Sequence, residues 1–368
     1  MKKSQDSFLA LVRSSLWGSP CVLESKPQWD KIFQIASQQT LLGIVSDAVS
    51  NLPHEMRPCK FETVKMCAKV AGIYQSHSIL NHAIANIKGI MDANGISTVL
   101  LKGQGVALNY PNPLSRQCGD IDLYVGEENF PAAMNLLEPG VEHDVNKYRH
   151  QKHFNTVLDG VSIELHRIAE LLPGIAADRR FQEWTLQQLH HTKARKVDIG
   201  GCMVNLPSVQ FDAVYIMYHA WHHFINGGIG LRQLCDWCLH LHRYHNEIDS
   251  AQLERDLARF GLNRAWNIMS AVAVAKLGLP ANECPLYTNK YDSLAEKVLQ
   301  IIFEEGNFGR FSSLRLKQRP KGYLGGKFYT FKIVMQRTFA LLPIAPADVI
   351  RYRIMYILNG LRDLAVRM

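Results

Sequence analysis

The 368-residue sequence predicts an α+β fold: a small mixed sheet flanked by an N-terminal and a C-terminal helical segment. Three observations predict it. Apolar residues recur at helical spacing through the first ninety or so residues and again beyond Pro207. Between those stretches the period drops to two, first at Asp120–Val125 and then at Val161–His166. Finally, Asp159-Gly160 stands between two alternating runs, where a type I′ turn needs positive φ at both central positions. The expected organisation is a helical segment over 1–92, a mixed α/β core over 93–206 and a helical segment over 207–368.

Taken in order, Trp29-Ile32-Phe33-Ile35-Ala36 and the stretch Val64 to Ile90 read as helices, parted by Asn51-Leu52-Pro53 and Pro58. Asn94-Gly95 closes the second, and Ile96 to Leu101 is a short β-rich run. Lys102-Gly103-Gln104-Gly105 then turns into an expected helix over Val106 to Tyr110. Asp120 to Val125 is a strand with one covered face. Asn155–Leu158 and Val161–His166 form the hairpin, and Lys196–Ile199 with Met203–Leu206 form a second one around Gly200-Gly201. Helices return over Phe211–Phe224, Leu231–Tyr244, Ala251–Phe260 and Asn263–Leu277, with three more expected after Asp292.

Composition narrows the function classes. At 47% hydrophobic and 20% charged residues, the chain can bury a sizeable core and has no long disordered tract. No apolar run is long enough to span a bilayer, and the N-terminus lacks the apolar stretch of a signal peptide. Eight scattered cysteines do not suggest a disulfide scaffold, so the expected setting is a reducing cytoplasm. The net charge of +8 is uneven: from Arg310 onward, twelve basic residues face two acidic ones. That end interleaves Phe311, Tyr323, Phe328, Tyr329 and Phe331 with Arg315, Lys317, Arg319, Lys321 and Lys327. It reads either as a surface for an anionic partner or as a solvated helix whose aromatics pack inward.

Asp120 and Asp122 are the most informative residues. On a strand, positions i and i+2 share a face, so both carboxylates project together while Ile121, Leu123 and Val125 pack behind them. Adjacent acids repel unless a cation neutralises them, and hard oxygen donors suit Mg²⁺ or Mn²⁺. Glu164 lies in a second strand with the same alternation, sharing its face with Ser162 and His166. If that strand pairs beside the first, three carboxylates converge. Upstream, the Lys102-Gly103 turn offers backbone N–H groups to a phosphate, although a plain tight turn is the simpler reading of a Gly-x-Gly.

Leu100-Leu101-Lys102-Gly103, Arg116, Gly119-Asp120-Ile121-Asp122-Leu123-Tyr124-Val125 and Ile163-Glu164-Leu165-His166 together resemble the DNA polymerase β-like nucleotidyltransferase superfamily, and within it a bacterial nucleotidyltransferase family often linked to cell-surface polysaccharide. The resemblance takes in most of residues 25–245, including Gly230 to Asp236. It implies an enzyme that passes NMP from an NTP to a hydroxyl acceptor, with Asp120, Asp122 and Glu164 holding two Mg²⁺ or Mn²⁺ ions. The acceptor is a sugar, a small molecule, RNA or a protein, and a defence role modifying RNA or protein is compatible with the same chemistry. Lys102-Gly103 would replace the superfamily's Gly-Ser phosphate turn, with Lys102 or Arg116 supplying charge. This altered turn leaves a second reading open: a non-catalytic nucleotide- or RNA-binding regulatory protein on the same fold.

Two further clusters have bland readings. His219, His222 and His223 have helical spacing for a ligand pair but lack the Glu of a zinc protease motif, so packing is the expectation. Cys235 and Cys238 form a C-x-x-C without a second pair to complete a zinc site, and they read as buried thiols. Arg232 and Asp236 have the spacing of a helix ion pair.

Overall fold

The computed structural model describes residues 2–143, 148, 151–189, 193–312, 315 and 319–367. The chain is α+β and divides into two compact units. The first comprises Met1–Ala36, Leu41–Leu171 and Gln182–Tyr215; the second comprises Ser37–Thr40, Leu172–Phe181 and Ile216–Met368. No helix among the described residues is long and apolar enough to cross a membrane.

The first unit opens with helices α1 (Lys2–Trp17), α2 (Trp29–Gln38), α3 (Leu42–Ser50) and the 34-residue α4 (Lys60–Ala93). Glu62 accepts from the backbone N–H of Cys59 at 2.7 Å and starts α4. At the other end, the Ile96 N–H bonds back to the Met91 carbonyl and Gly95 adopts φ 72°. That helix ending takes up Ile96, so β1 covers only Val99–Leu100 rather than the whole expected run. The turn after it enters the short helix α5 at Gln104–Ala107, earlier than the sequence suggests, because the Gln104 amide is held by Asn81 at 2.6 Å.

A four-stranded sheet follows, ordered β1-β2-β4-β3, with β2 at Asp120–Tyr124, β3 at His153–Leu158 and β4 at Val161–His166. β3 and β4 form the expected hairpin, Asp159 at φ 52° and Gly160 at φ 77° supplying the turn. β2 runs antiparallel to β1 and parallel to β4. Ile121, Leu123, Ile163 and Leu165 turn to one side and pack with Leu80, Ile84, Ile87 and Met91 of α4. Phe130 and Met134 of α6 (Gly126–Leu137) complete that layer. Alternation then dictates that Asp120, Asp122, Glu164 and His166 share the opposite side.

The second hairpin is present as β5 (Arg195–Ile199) and β6 (Cys202–Leu206). Sequence reading assigns no element to α6, whose interior Pro131 argues against a helix, nor to α7 (Ile175–Gln188), whose weak apolar stripe gives little signal.

α8 (Val209–Asn226) begins in the first unit. The second unit holds α9 (Leu231–Tyr244), α10 (Ser250–Phe260), α11 (Asn263–Ala275), α12 (Asp292–Glu305), α13 (Tyr323–Leu341) and α14 (Pro346–Arg367). The last three are the helices expected after Asp292. Cys235 and Cys238 are fully buried, and burial drives both thiols well above their ordinary pKa. Arg232 and Asp236 stand 3.5 Å apart, as the spacing predicts. The His219 and His223 rings pack edge to face, and His222 Nδ1 meets the Tyr352 hydroxyl at 3.2 Å, a packing arrangement. On α13, Phe328 and Phe331 are exposed beside the exposed Lys327 and Lys332, so those aromatics do not pack inward. Lys317 and the Tyr323 side chain lie outside the described residues.

Candidate active site

The site is built on β2 and β4. Their parallel register sets Asp122 directly across from Glu164 and Asp120 across from Ser162. In such a pair, opposed side chains leave the sheet on one side, so the register alone brings two carboxylates from separate strands to one patch. Asp120 opens β2 at an exposed position; Asp122, two residues in, is 2% exposed.

A buried carboxylate requires a positive partner. Asp122 Oδ1 lies 2.9 Å from Lys102 Nζ and 3.0 Å from His166 Nε2. His166, fully buried, also reaches Glu164 Oε2 at 3.5 Å. Burial works against an imidazolium there, but the hydrogen bonds to Asp122 and Glu164 outweigh it and hold the His166 pKa above the ordinary histidine value. Burial would likewise raise Glu164; the His166 hydrogen bond reverses that and leaves its carboxyl below the usual range.

Lys102 and Gly103 lie directly after β1, whose Leu100 pairs with Leu123 of β2. Gly103 has φ 58°, and a Cβ there would sit 3.5 Å from the Asp120 carbonyl oxygen. The turn therefore passes close beside the start of the acidic strand in a conformation that favours glycine. Lys102 Nζ also lies 6.0 Å from the Tyr215 ring centre, within cation–π range. Gly105 has a packing role, since a Cβ would come within 2.4 Å of Leu206 Cδ2.

Arg116 is placed differently from the surface cation that a phosphate contact calls for. It is 3% exposed, its Nη1 meets Cys118 Sγ at 2.7 Å, and its carbonyl pairs with His77 Nε2 at 2.7 Å. One guanidinium nitrogen is thus spent on Cys118, in the loop that precedes β2.

Several site residues escape a motif search. His153 pairs with His166 across the hairpin, and its Nδ1 lies 3.4 Å from Glu164 Oε2. Counting outward from Asp159-Gly160 would have found it, because the turn fixes the register. Lys152 binds both oxygens of buried Glu170, at 3.1 and 2.9 Å, and Tyr215 is buried near Asp122, Glu170 and Glu164. These come from separated stretches, and no spacing in the sequence announces them.

Asp212, on α8 beside Tyr215, gives a prediction about pH. Burial pushes its carboxyl up to about 7 despite the Arg195 guanidinium 2.6 Å away. The folded chain therefore holds a proton there over the window from the ordinary carboxylate range, near 4, to about 7, and the unfolded chain does not. Stability falls as pH rises through that window, by at most about 1.4 kcal/mol per pH unit. Urea unfolding of Asp212→Asn should show a flatter pH profile from 4 to 7 than the parent chain.

The donor set suits a divalent ion. Asp120, Asp122 and Glu164 offer hard oxygens, with Asp122 already facing Lys102 and His166 in this structure. Among the described residues, the one group of His, Cys, Asp or Glu side chains whose ligand atoms all lie within 4.8 Å of one another is His153, Glu164 and His166, which includes neither Asp120 nor Asp122.

A family model described as an uncharacterised nucleotidyltransferase matches residues 25–278. Among solved structures, the chain is similar to an antigenic nucleotidyltransferase-like protein from Paracoccidioides brasiliensis. Identity there is 12%, covering 59% of this chain and 94% of that one, and at a TM-score of 0.29 the likeness carries no argument. No curated protein matches.

Proposed function

The chain belongs to the uncharacterised nucleotidyltransferase family, and on that premise we propose that it transfers NMP from an NTP to a hydroxyl acceptor with the help of divalent metal. The observation that carries this reading is the β2–β4 register, which sets Asp122 across from Glu164 two residues after Asp120. Those three residues would hold Mg²⁺ or Mn²⁺. When bound, the ion supplies Lewis-acid stabilisation of the charge that develops on the phosphoryl oxygens.

The chain's own groups do the rest. Lys102 and Gly103 receive the triphosphate at the turn beside β2, the ammonium offering charge and the glycine close backbone approach. The acceptor oxygen bonds to the α-phosphorus, the bond to the bridging oxygen breaks, and pyrophosphate leaves with its electron pair. Glu164, the more exposed of the two paired carboxylates, takes the acceptor's proton; its lowered pKa keeps it ionised and able to accept. His166 holds Asp122 and Glu164 in place from below. The acceptor is a sugar, small molecule, RNA or protein. The exposed Lys327, Phe328, Phe331 and Lys332 are the surface we assign to an anionic one, with a polysaccharide link following from the family resemblance.

One contact favours a second reading. Lys102 Nζ, 2.9 Å from Asp122, already provides the carboxylate with a cation, as in a chain that binds nucleotide for regulation and performs no transfer. Incubation with α-labelled NTPs and Mg²⁺ or Mn²⁺ separates the two. Pyrophosphate release that disappears in Asp122→Asn supports the enzyme. Metal-dependent nucleotide binding without label transfer to any acceptor supports the regulatory protein.

A further inference from the structure

We propose that His153 Nδ1, Glu164 Oε2 and His166 Nε2 form a site for a borderline transition-metal ion, Zn²⁺ or Co²⁺, distinct in chemistry from a purely carboxylate Mg²⁺ site. The inference deepens the reading above, on which it rests for Glu164 as a carboxylate that faces metal.

Geometry is the first support. A tetrahedral Zn²⁺ with ligands at about 2.0–2.1 Å separates neighbouring donor atoms by about 3.4 Å. Glu164 Oε2 stands 3.4 Å from His153 Nδ1 and 3.5 Å from His166 Nε2, and all three atoms fall within 4.8 Å of one another. Two edges of the tetrahedron are already formed. The hairpin register that opposes His153 to His166 fixes them, since neither strand can slip without moving its whole apolar set out of the core.

Proton placement is the second. His166 Nδ1 meets the Ile168 carbonyl at 3.3 Å, and a carbonyl only accepts, so Nδ1 carries the hydrogen. Nε2 stands 3.0 Å from Asp122 Oδ1 and 3.5 Å from Glu164 Oε2, so a metal ion that displaced its proton would meet carboxylate oxygens at once. A ring N–H donated to a backbone carbonyl, with the other nitrogen turned to the ion, is the usual arrangement around a metal-bound histidine. His153 Nδ1 is shielded from solvent and has no hydrogen bond of its own within the described residues. Two imidazole nitrogens in a three-donor set favour Zn²⁺ or Co²⁺ over Mg²⁺, which seeks oxygen.

Co²⁺ titration of the full-length protein, followed by visible absorption, tests this without any turnover assay. One equivalent should bind with the intense d–d bands of a four-coordinate site. His153→Ala, at a part-exposed position chosen because the buried His166 invites misfolding, should weaken Co²⁺ binding by more than the roughly 10- to 100-fold that losing an outer-shell partner costs, with its circular dichroism unchanged. Asp120→Asn should bind Co²⁺ as the parent does. Weak six-coordinate bands that survive His153→Ala and vanish in Asp120→Asn would overturn the site, the ion then belonging to the carboxylates. Four-coordinate bands without nucleotidyl transfer would instead overturn the enzymatic reading and leave this site standing.

Discussion

Asp122→Asn is expected to lower nucleotidyl transfer by about 10³-fold, the scale on which removing one fixed electrostatic stabiliser acts. The amide keeps the shape but removes the negative charge that Lys102 and His166 converge on. Lys102 and His166 then keep only Glu164, 3.5 Å from His166, to offset them, and stability should drop by about 3 kcal/mol. The two effects are measured separately, transfer by label incorporation and stability by urea unfolding. Glu164→Gln provides the comparison. Being more exposed, it should lose a similar factor in transfer at a smaller cost in stability.

Gly43→Ala carries the largest expected effect away from the carboxylates. Gly43 lies in α3, where an added Cβ would sit 2.2 Å from the Ser115 carbonyl oxygen and 2.9 Å from its carbonyl carbon. The obstacle is backbone, and it cannot turn aside. Ser115 is itself fixed, its hydroxyl 3.2 Å from the Tyr74 hydroxyl and 2.8 Å from the Asn112 amide, while the next carbonyl, Arg116, is tied to His77. Relief must come from shifting α3 or the loop that leads through Cys118 to Asp120. A loss of about 3 kcal/mol follows, at the upper end for overpacking in a closed core. Because that loop delivers Asp120, transfer measured on the folded fraction should fall as well. Thermal unfolding checks the first, and label incorporation normalised to the folded fraction checks the second.

The sheet and its acidic face were legible in the sequence for definite reasons. Asp159-Gly160 can serve few purposes other than a two-residue turn, and the alternation of Ile121-Leu123 and Ile163-Leu165 names the buried side. Once those are fixed, Asp120, Asp122 and Glu164 must share the other side. What remained hidden depends on contacts between distant stretches. Arg116 reads equally well as a phosphate ligand and as a structural cation; its burial and its contact with Cys118 depend on how the preceding loop packs. The partners of Asp122 come from the end of β1 and the end of β4, and Lys152 meets Glu170 across a bend. α6 escaped because Pro131 stands in its interior, where the missing N–H and the ring argue against a helix that tertiary packing nevertheless holds. β1 was overestimated because the closing turn of α4 takes Ile96 for itself.

The central claim is that carboxylates from β2 and β4 share a divalent cation. Electron paramagnetic resonance titration of Mn²⁺, with a non-hydrolysable NTP present, measures that sharing directly. The account predicts that Asp120→Asn, Asp122→Asn and Glu164→Gln each weaken Mn²⁺ binding by about tenfold or more, the substitution on β4 acting like those on β2. Mn²⁺ affinity in Glu164→Gln equal to that of the parent protein, with the two aspartate substitutions alone reducing it, would contradict the shared site.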